Sequence, residues 1–222
     1  MRSFGSKGYD AAMRLPVIFI SAWFCWREFM SLRELVVGHP FFEGDAAFLA
    51  AVLSHVGVIA FLGFLLFLHA IRRRPVSKYE AWQPKLAALL GMCTIYLLML
   101  LPRARPDYFM DAASSLLSFT GNFLCLVSVT SLGRSLSIMP EARSLKTEGP
   151  YARIRHPLYM SEFIALAGIF LMYRSWAAAA VLASTVYFQL KRMDWEEKIL
   201  SETFTEYIAY RANSWRLVPG IY

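Results

Sequence analysis

AAFLAAVLSHVGVIAFLGFLLFLHAI, residues Ala46 to Ile71, runs for 26 positions without an Asp, Glu, Lys or Arg. A transmembrane helix needs about 20 mostly apolar residues, so this stretch sets the class of the protein. Working outward, the 22 residues between Asp111 and Arg134 form a second charge-free run. Leu86 to Pro102 gives 17 residues and Ser175 to Leu190 gives 16. Pro157 to Tyr173 is interrupted only by Glu162. Leu15 to Val37 is apolar as far as Trp26 and then carries Arg27, Glu28, Arg33 and Glu34. It either spans with its charges on a protein-facing side or lies at the interface. The expected fold is an all-α, polytopic integral membrane helical bundle of five or six spans with a C-terminal cytosolic helical tail.

Composition agrees. Of 222 residues 57% are hydrophobic and 18% charged, against roughly 25% charged in a soluble domain. This excludes a disordered chain and a small disulfide scaffold. No repeat or Gly/Ser linker divides the chain, so residues 1–222 read as one membrane domain. Its N-terminal helices fall within 15–130 and a distinct region within 131–222. A secretory signal peptide is not expected, because charge rather than a small-residue cleavage site follows the first apolar run.

The net charge of +7 is mostly a topology signal. With six spans, 18 Lys and Arg fall on one side and 3 on the other. The first set includes Arg2, Lys7 and Arg14 before the first span, and the clusters at 72–85, 134–155 and 191–216. By the positive-inside rule that side is cytoplasmic, with both termini. The basic residues then meet lipid headgroups, and no nucleic-acid partner is expected.

Cys25, Cys93 and Cys125 lie in separate apolar runs without CxxC spacing, which suits core packing. His39, His55 and His69 show no ligand spacing, so no metal site is expected. Ser114, Ser118 and Asn122 recur every four residues, a stripe suited to helix–helix contact, with a substrate-pocket lining as the lesser alternative.

Beyond Arg134 the sequence changes character. Leu145 to Tyr159 reads LKTEGPYARIRHPLY. Gly149-Pro150 makes a turn, and Pro157 has the φ of a first helical position. Arg155 and His156 then stand at a helix N-terminus, where free N–H groups and the dipole also favour an anion. Glu162 lies five residues into that apolar helix, either paired with a loop arginine or facing a polar cavity. After the last span comes KRMDWEEKIL, residues Lys191 to Leu200. Arg192 and Glu196 share a helix face at i, i+4. The Glu196–Glu197 pair lies at the same headgroup level as Arg155 and His156. An acidic and a basic pair at one depth suit a zwitterionic ligand. A solvated surface helix is the alternative.

GPYxxxRHPxY, a two-helix hairpin, EExxL, an aromatic cluster and a terminal Val-Pro resemble the isoprenylcysteine carboxyl methyltransferase family. The matching residues are Gly149, Pro150, Tyr151, Arg155, His156, Pro157, Tyr159, Glu196, Glu197, Leu200, Phe204, Tyr207, Tyr210, Val218 and Pro219, within roughly 130–222. Ser161 stands where that family often has glycine, and the Phe204-to-Tyr207 spacing is one residue short. The resemblance implies S-adenosyl-L-methionine as methyl donor, S-adenosyl-L-homocysteine as product, and a lipidic or amphiphilic acceptor reached from the bilayer. It places the donor's carboxylate near Arg155 and His156 and its ribose diol at Glu196 or Glu197. Tyr159, Tyr207, Tyr210 and Trp195 offer faces for adenine or the sulfonium. Arg192 is the candidate cation for a carboxylate acceptor. Glu197 or Glu162 is the candidate base for an amine or thiol. A membrane NADPH-dependent reductase of the sterol-reductase type is the second reading. A non-enzymatic scaffold or transporter is the third.

Overall fold

A computed structural model describes residues 2–3, 8, 14–38, 46–137 and 139–222. Lys7 and His39 lie outside them. The chain forms two compact units, Ser6–Arg73 and a second made of Met1–Gly5 with Arg74–Tyr222. The division falls at Arg73/Arg74.

The first unit is a helical hairpin of α1 (Leu15–Gly38) and α2 (Ala46–Ile71). Glu28 of α1 faces α2, where its carboxylate meets Nδ1 of His55 at 2.7 Å. Phe19, Trp23, Trp26 and Phe29 remain exposed, an outward apolar surface that water alone would penalise.

In the second unit α3 (Trp82–Cys93) runs into 3-10 turns at Thr94–Leu100 and stops just before Pro102, as the residue preceding a proline disfavours helix. Asp107 caps α4 (Tyr108–Leu132), accepting from the Met110 N–H at 2.9 Å. Pro157 opens α5 (Pro157–Tyr173). Arg174, at φ 42°, ends it in the left-handed region. Ser175 then caps α6 (Trp176–Thr203), and α7 (Tyr207–Ala212) closes the order.

The chain is mostly helical, with one departure from the all-helical expectation. β1 (Arg2–Ser3), β2 (Ser77–Tyr79) and β3 (Glu141–Ala142) form a small antiparallel sheet in that order, with Lys78 opposite Glu141. Its Tyr79 and Ala142 pack on Ile199 of α6.

Among the described residues one helix, Tyr108–Ser135, is both long and apolar enough to cross a bilayer, and His55–Ile71 and Pro157–Tyr173 are shorter apolar helices. The five or six spans read from hydropathy are thus not all matched by helices of spanning length. α3 has only 12 residues before its turns, and α5 has 17.

α4 and α5 pack at close range through small residues. A Cβ on Gly121 would sit 2.5 Å from the Ala165 nitrogen, and one on Gly168 would sit 2.5 Å from Ser118 Oγ. Ser114 Oγ donates to the Gly168 carbonyl at 2.8 Å. Ser114 and Ser118 thus serve the helix contact, while Asn122 is exposed. The outer face of α4 presents Leu116, Phe119 and Phe123. Tyr108, Phe109 and Trp176 are exposed at the starts of α4 and α6, as aromatic residues at a membrane interface are.

Candidate active site

The site begins with a strap. The 153–156 segment pairs with the C-terminal residues: Arg155 N–H donates to the Trp215 carbonyl at 2.7 Å, His156 N–H to Arg216 at 3.1 Å, and Trp215 N–H to Arg153 at 2.8 Å. Arg155 Nη1 donates to the carbonyls of Arg211 and Ser214. Tyr210 OH donates to the Tyr151 carbonyl at 2.6 Å. The tail is thereby fixed against the segment that enters α5.

Glu197 ties the two together. Its Oε1 accepts from Arg155 Nε at 3.0 Å and lies 3.1 Å from His156 Nε2 and 3.4 Å from Arg216 Nε. Arg211 approaches Oε2 at 3.9 Å. Burial alone would raise this carboxyl's pKa, but hydrogen bonds and charge from His156, Arg155 and Arg216 outweigh it and hold the pKa at about 2. Burial pushes the Tyr210 phenol up to about 12 and Tyr207 higher still.

Glu196, one residue earlier, points elsewhere. Its Oε1 accepts from Tyr159 OH at 2.7 Å and from Arg192 Nε at 3.2 Å. Arg192 also donates to the Ser137 carbonyl at 2.8 Å and lies 5.1 Å over the Tyr159 ring. Tyr159 also packs with Met193 and Leu217 in an apolar cluster.

Tyr159, Arg192 and Glu196 line a cavity of about 100 Å³ with Tyr151, Arg155, His156, Tyr207 and Tyr210. Of the residues expected from sequence, those five, Tyr159, Arg192 and Glu196 come together here. Gly149, Pro150 and Pro157 line a different, mainly apolar groove of about 360 Å³ with Leu124, Val127, Ile154 and Met160, Arg153 being its one charged residue. The 149–160 segment therefore has two faces, one to each cavity. Glu197 lies behind the first cavity rather than in its lining. Among the described residues Glu162 pairs with no loop arginine and does not line the cavity; it accepts from Gln189 Nε2 at 2.9 Å between α5 and α6. Trp195 packs edge-on against Tyr79.

One wall was not expected. Residues 135–146 contribute Ser135, Ser137, Glu141, Arg143, Ser144 and Lys146. Arg143 Nη2 donates to Glu141 Oε2 at 2.6 Å, with both side chains 1% exposed. The signal in sequence was slight: an acidic residue two positions from an arginine in a loop otherwise read as a topology signal.

The donor set suits the methyl donor. The cavity offers both acidic and basic groups for a zwitterion and four tyrosines for a flat base. Two of its buried oxygens, Tyr207 OH and Glu141 Oε1, have no hydrogen-bond partner among the described residues, and such groups are costly unless something binds them.

Residues 109–207 match the phospholipid methyltransferase family model, the same membrane methyltransferase family as the isoprenylcysteine carboxyl methyltransferases. The match runs from the start of α4 to the first residue of α7 and contains every group of the cavity except Tyr210. The chain is also 36% identical over 84 residues to the nickel-cobalt-cadmium resistance protein NccN of Alcaligenes xylosoxydans xylosoxydans. That alignment covers 36% of this chain and 38% of the relative, so the chain spans well under half of that protein's length.

Proposed function

We propose that the protein is an integral, multi-pass membrane methyltransferase that uses S-adenosyl-L-methionine to methylate a lipidic or amphiphilic acceptor at a carboxylate, amine or thiol. Both termini and the cavity lie on the cytoplasmic side. The observation that carries this reading is the cavity itself: acidic, basic and aromatic groups converge in the region matched by a methyltransferase family. The apolar groove on the other face of the 149–160 segment supports a lipidic acceptor, since its lining suits an alkyl chain.

When bound, the donor supplies a sulfonium-activated methyl group. The chain's own contribution is positioning, which suffices for a displacement in which charge is dispersed. Tyr151, Arg155, His156, Tyr159, Glu196, Tyr207 and Tyr210 form the walls. Gly149, Pro150 and Pro157 set the turn and helix start that aim the 149–160 segment, and Glu197 holds that segment to the tail. Arg192 is placed to orient a carboxylate acceptor. Glu162, outside the cavity, is the group left to take a proton from an amine or thiol.

Titrating S-adenosylhomocysteine against detergent-solubilised protein by calorimetry tests this reading. Micromolar binding is expected; no heat at high micromolar ligand would refute it, and binding of NADPH in its place would point to a reductase. Labelled methyl donor with a lipid extract then identifies the acceptor.

A further inference from the structure

Two carboxylates, Glu141 and Glu196, line the cavity and a third, Glu197, lies behind it; their occupancy differs. Glu196 Oε1 is taken by Tyr159 and Arg192. Glu197 is surrounded by Arg155, His156, Arg211 and Arg216. Glu141 alone presents a buried oxygen without a donor: Oε2 receives Arg143 at 2.6 Å and Ser137 Oγ at 3.1 Å, while Oε1 has no hydrogen-bond partner among the described residues. The residue is 9% exposed and lines the cavity. A carboxylate oxygen kept dry and unsatisfied is expensive.

We infer that Glu141 Oε1 is a cofactor-binding acceptor that takes one neutral hydrogen-bond donor from the nucleoside of the methyl donor, a ribose hydroxyl or the exocyclic amine. Arg143 already balances the carboxylate's charge, so a second cation gains little there and a neutral donor fits. Only one oxygen is open, so one donor is read rather than a chelated diol. Strand pairing of β3 with β2, Lys78 opposite Glu141, fixes the backbone from which the side chain reaches, so the acceptor is preorganised. The inference rests on the proposed function, and it moves nucleoside recognition from Glu196 or Glu197 to Glu141.

The test is a titration of wild type and Glu141→Gln with S-adenosylhomocysteine, its 2′-deoxy and 3′-deoxy analogues, and the inosine analogue that lacks the amine. Wild type should lose roughly tenfold to hundredfold in affinity for one of the three analogues, the cost of leaving a charged acceptor unpaired. Which analogue loses affinity tells hydroxyl from amine. In Glu141→Gln the oxygen stays toward Arg143 and an amide N–H₂ faces the cavity. Affinity for S-adenosylhomocysteine should fall by a similar factor, and discrimination against that analogue should vanish. Equal wild-type affinity for all four ligands overturns the assignment, and does so even where the variant fails to fold. So does a folded variant that discriminates as wild type does. Failure of wild type to bind S-adenosylhomocysteine at all removes the proposed function and this assignment with it.

Discussion

Replacing Glu197 with glutamine takes one negative charge from among Arg155, His156 and Arg216 while keeping the shape of the side chain. Its carboxyl sits at about 2 against an ordinary 4.5, a difference worth roughly 3 kcal/mol at 1.36 kcal/mol per pH unit. Arg211, whose side chain is 60% exposed, brings solvent to one side of the group, and screening there reduces the charge contribution. A loss of about 2 kcal/mol is expected, which for a chain of this size lowers Tm by roughly 4–8 °C. The pH dependence follows in sign. A carboxyl whose folded pKa is depressed contributes stability above its unfolded pKa and loses it as pH falls through the folded one. The Tm gap between wild type and Glu197→Gln should therefore be constant above about pH 5, narrow below 4.5 and close near 2. Thermal unfolding followed by tryptophan fluorescence in one detergent across that range measures it. A gap below 1 °C at neutral pH, or one that does not narrow in acid, refutes the account of Glu197 as the tie between tail and helix entry. A variant with unchanged Tm and lost turnover would instead place Glu197 in the reaction.

Two further outcomes test the scaffold. Gly121→Ala should cost about 1–3 kcal/mol, because its Cβ would meet the Ala165 backbone at 2.5–2.8 Å; an unchanged Tm would show that α4 and α5 are not so closely apposed. Asp107→Ala removes the cap of α4 and should cost about 1 kcal/mol, or roughly 2–4 °C, whereas Asp107→Asn should retain most of that stability.

The hydropathy pattern located some helices to the residue. α2 coincides with the charge-free run Ala46–Ile71, and α5 with Pro157–Tyr173, because a charge in hydrocarbon is costly enough to mark both ends. α6 was legible only in its first half. Its apolar run ends at Leu190, yet the helix continues to Thr203, since backbone hydrogen bonding does not stop where hydrophobicity does and neither Gly nor Pro interrupts it. The strands, two or three residues each, are too short to show a period. In the cavity, Arg155, His156, Tyr159 and Glu196 were legible because a local motif carries them. Glu141 was not. Its placement comes from pairing with Lys78, 63 positions earlier, and nothing local in the sequence encodes that. The partners of Glu162 and Glu197 were equally hidden, as both come from distant elements.

The unbroken length of α6 has a mechanical consequence. Twenty-eight residues at 1.5 Å each give a rod of about 42 Å, longer than a hydrocarbon core of about 30 Å. The rod carries Arg192 and Glu196 without a joint between its apolar N-terminal half and the cavity, so those two groups are held fixed relative to that half. Yet the cavity measures about 100 Å³, and sites for ligands of drug size measure at least roughly 300 Å³. Admitting a nucleoside thus requires a wall to give way, and that wall is not α6. The yielding side is the strap of residues 204–217, which hydrogen bonds hold to the 153–156 segment, since β3 is tied to β2. Binding is then a matter of parting the strap from a stationary post, and the rate of ligand entry should follow the strength of the strap rather than the chemistry of the post.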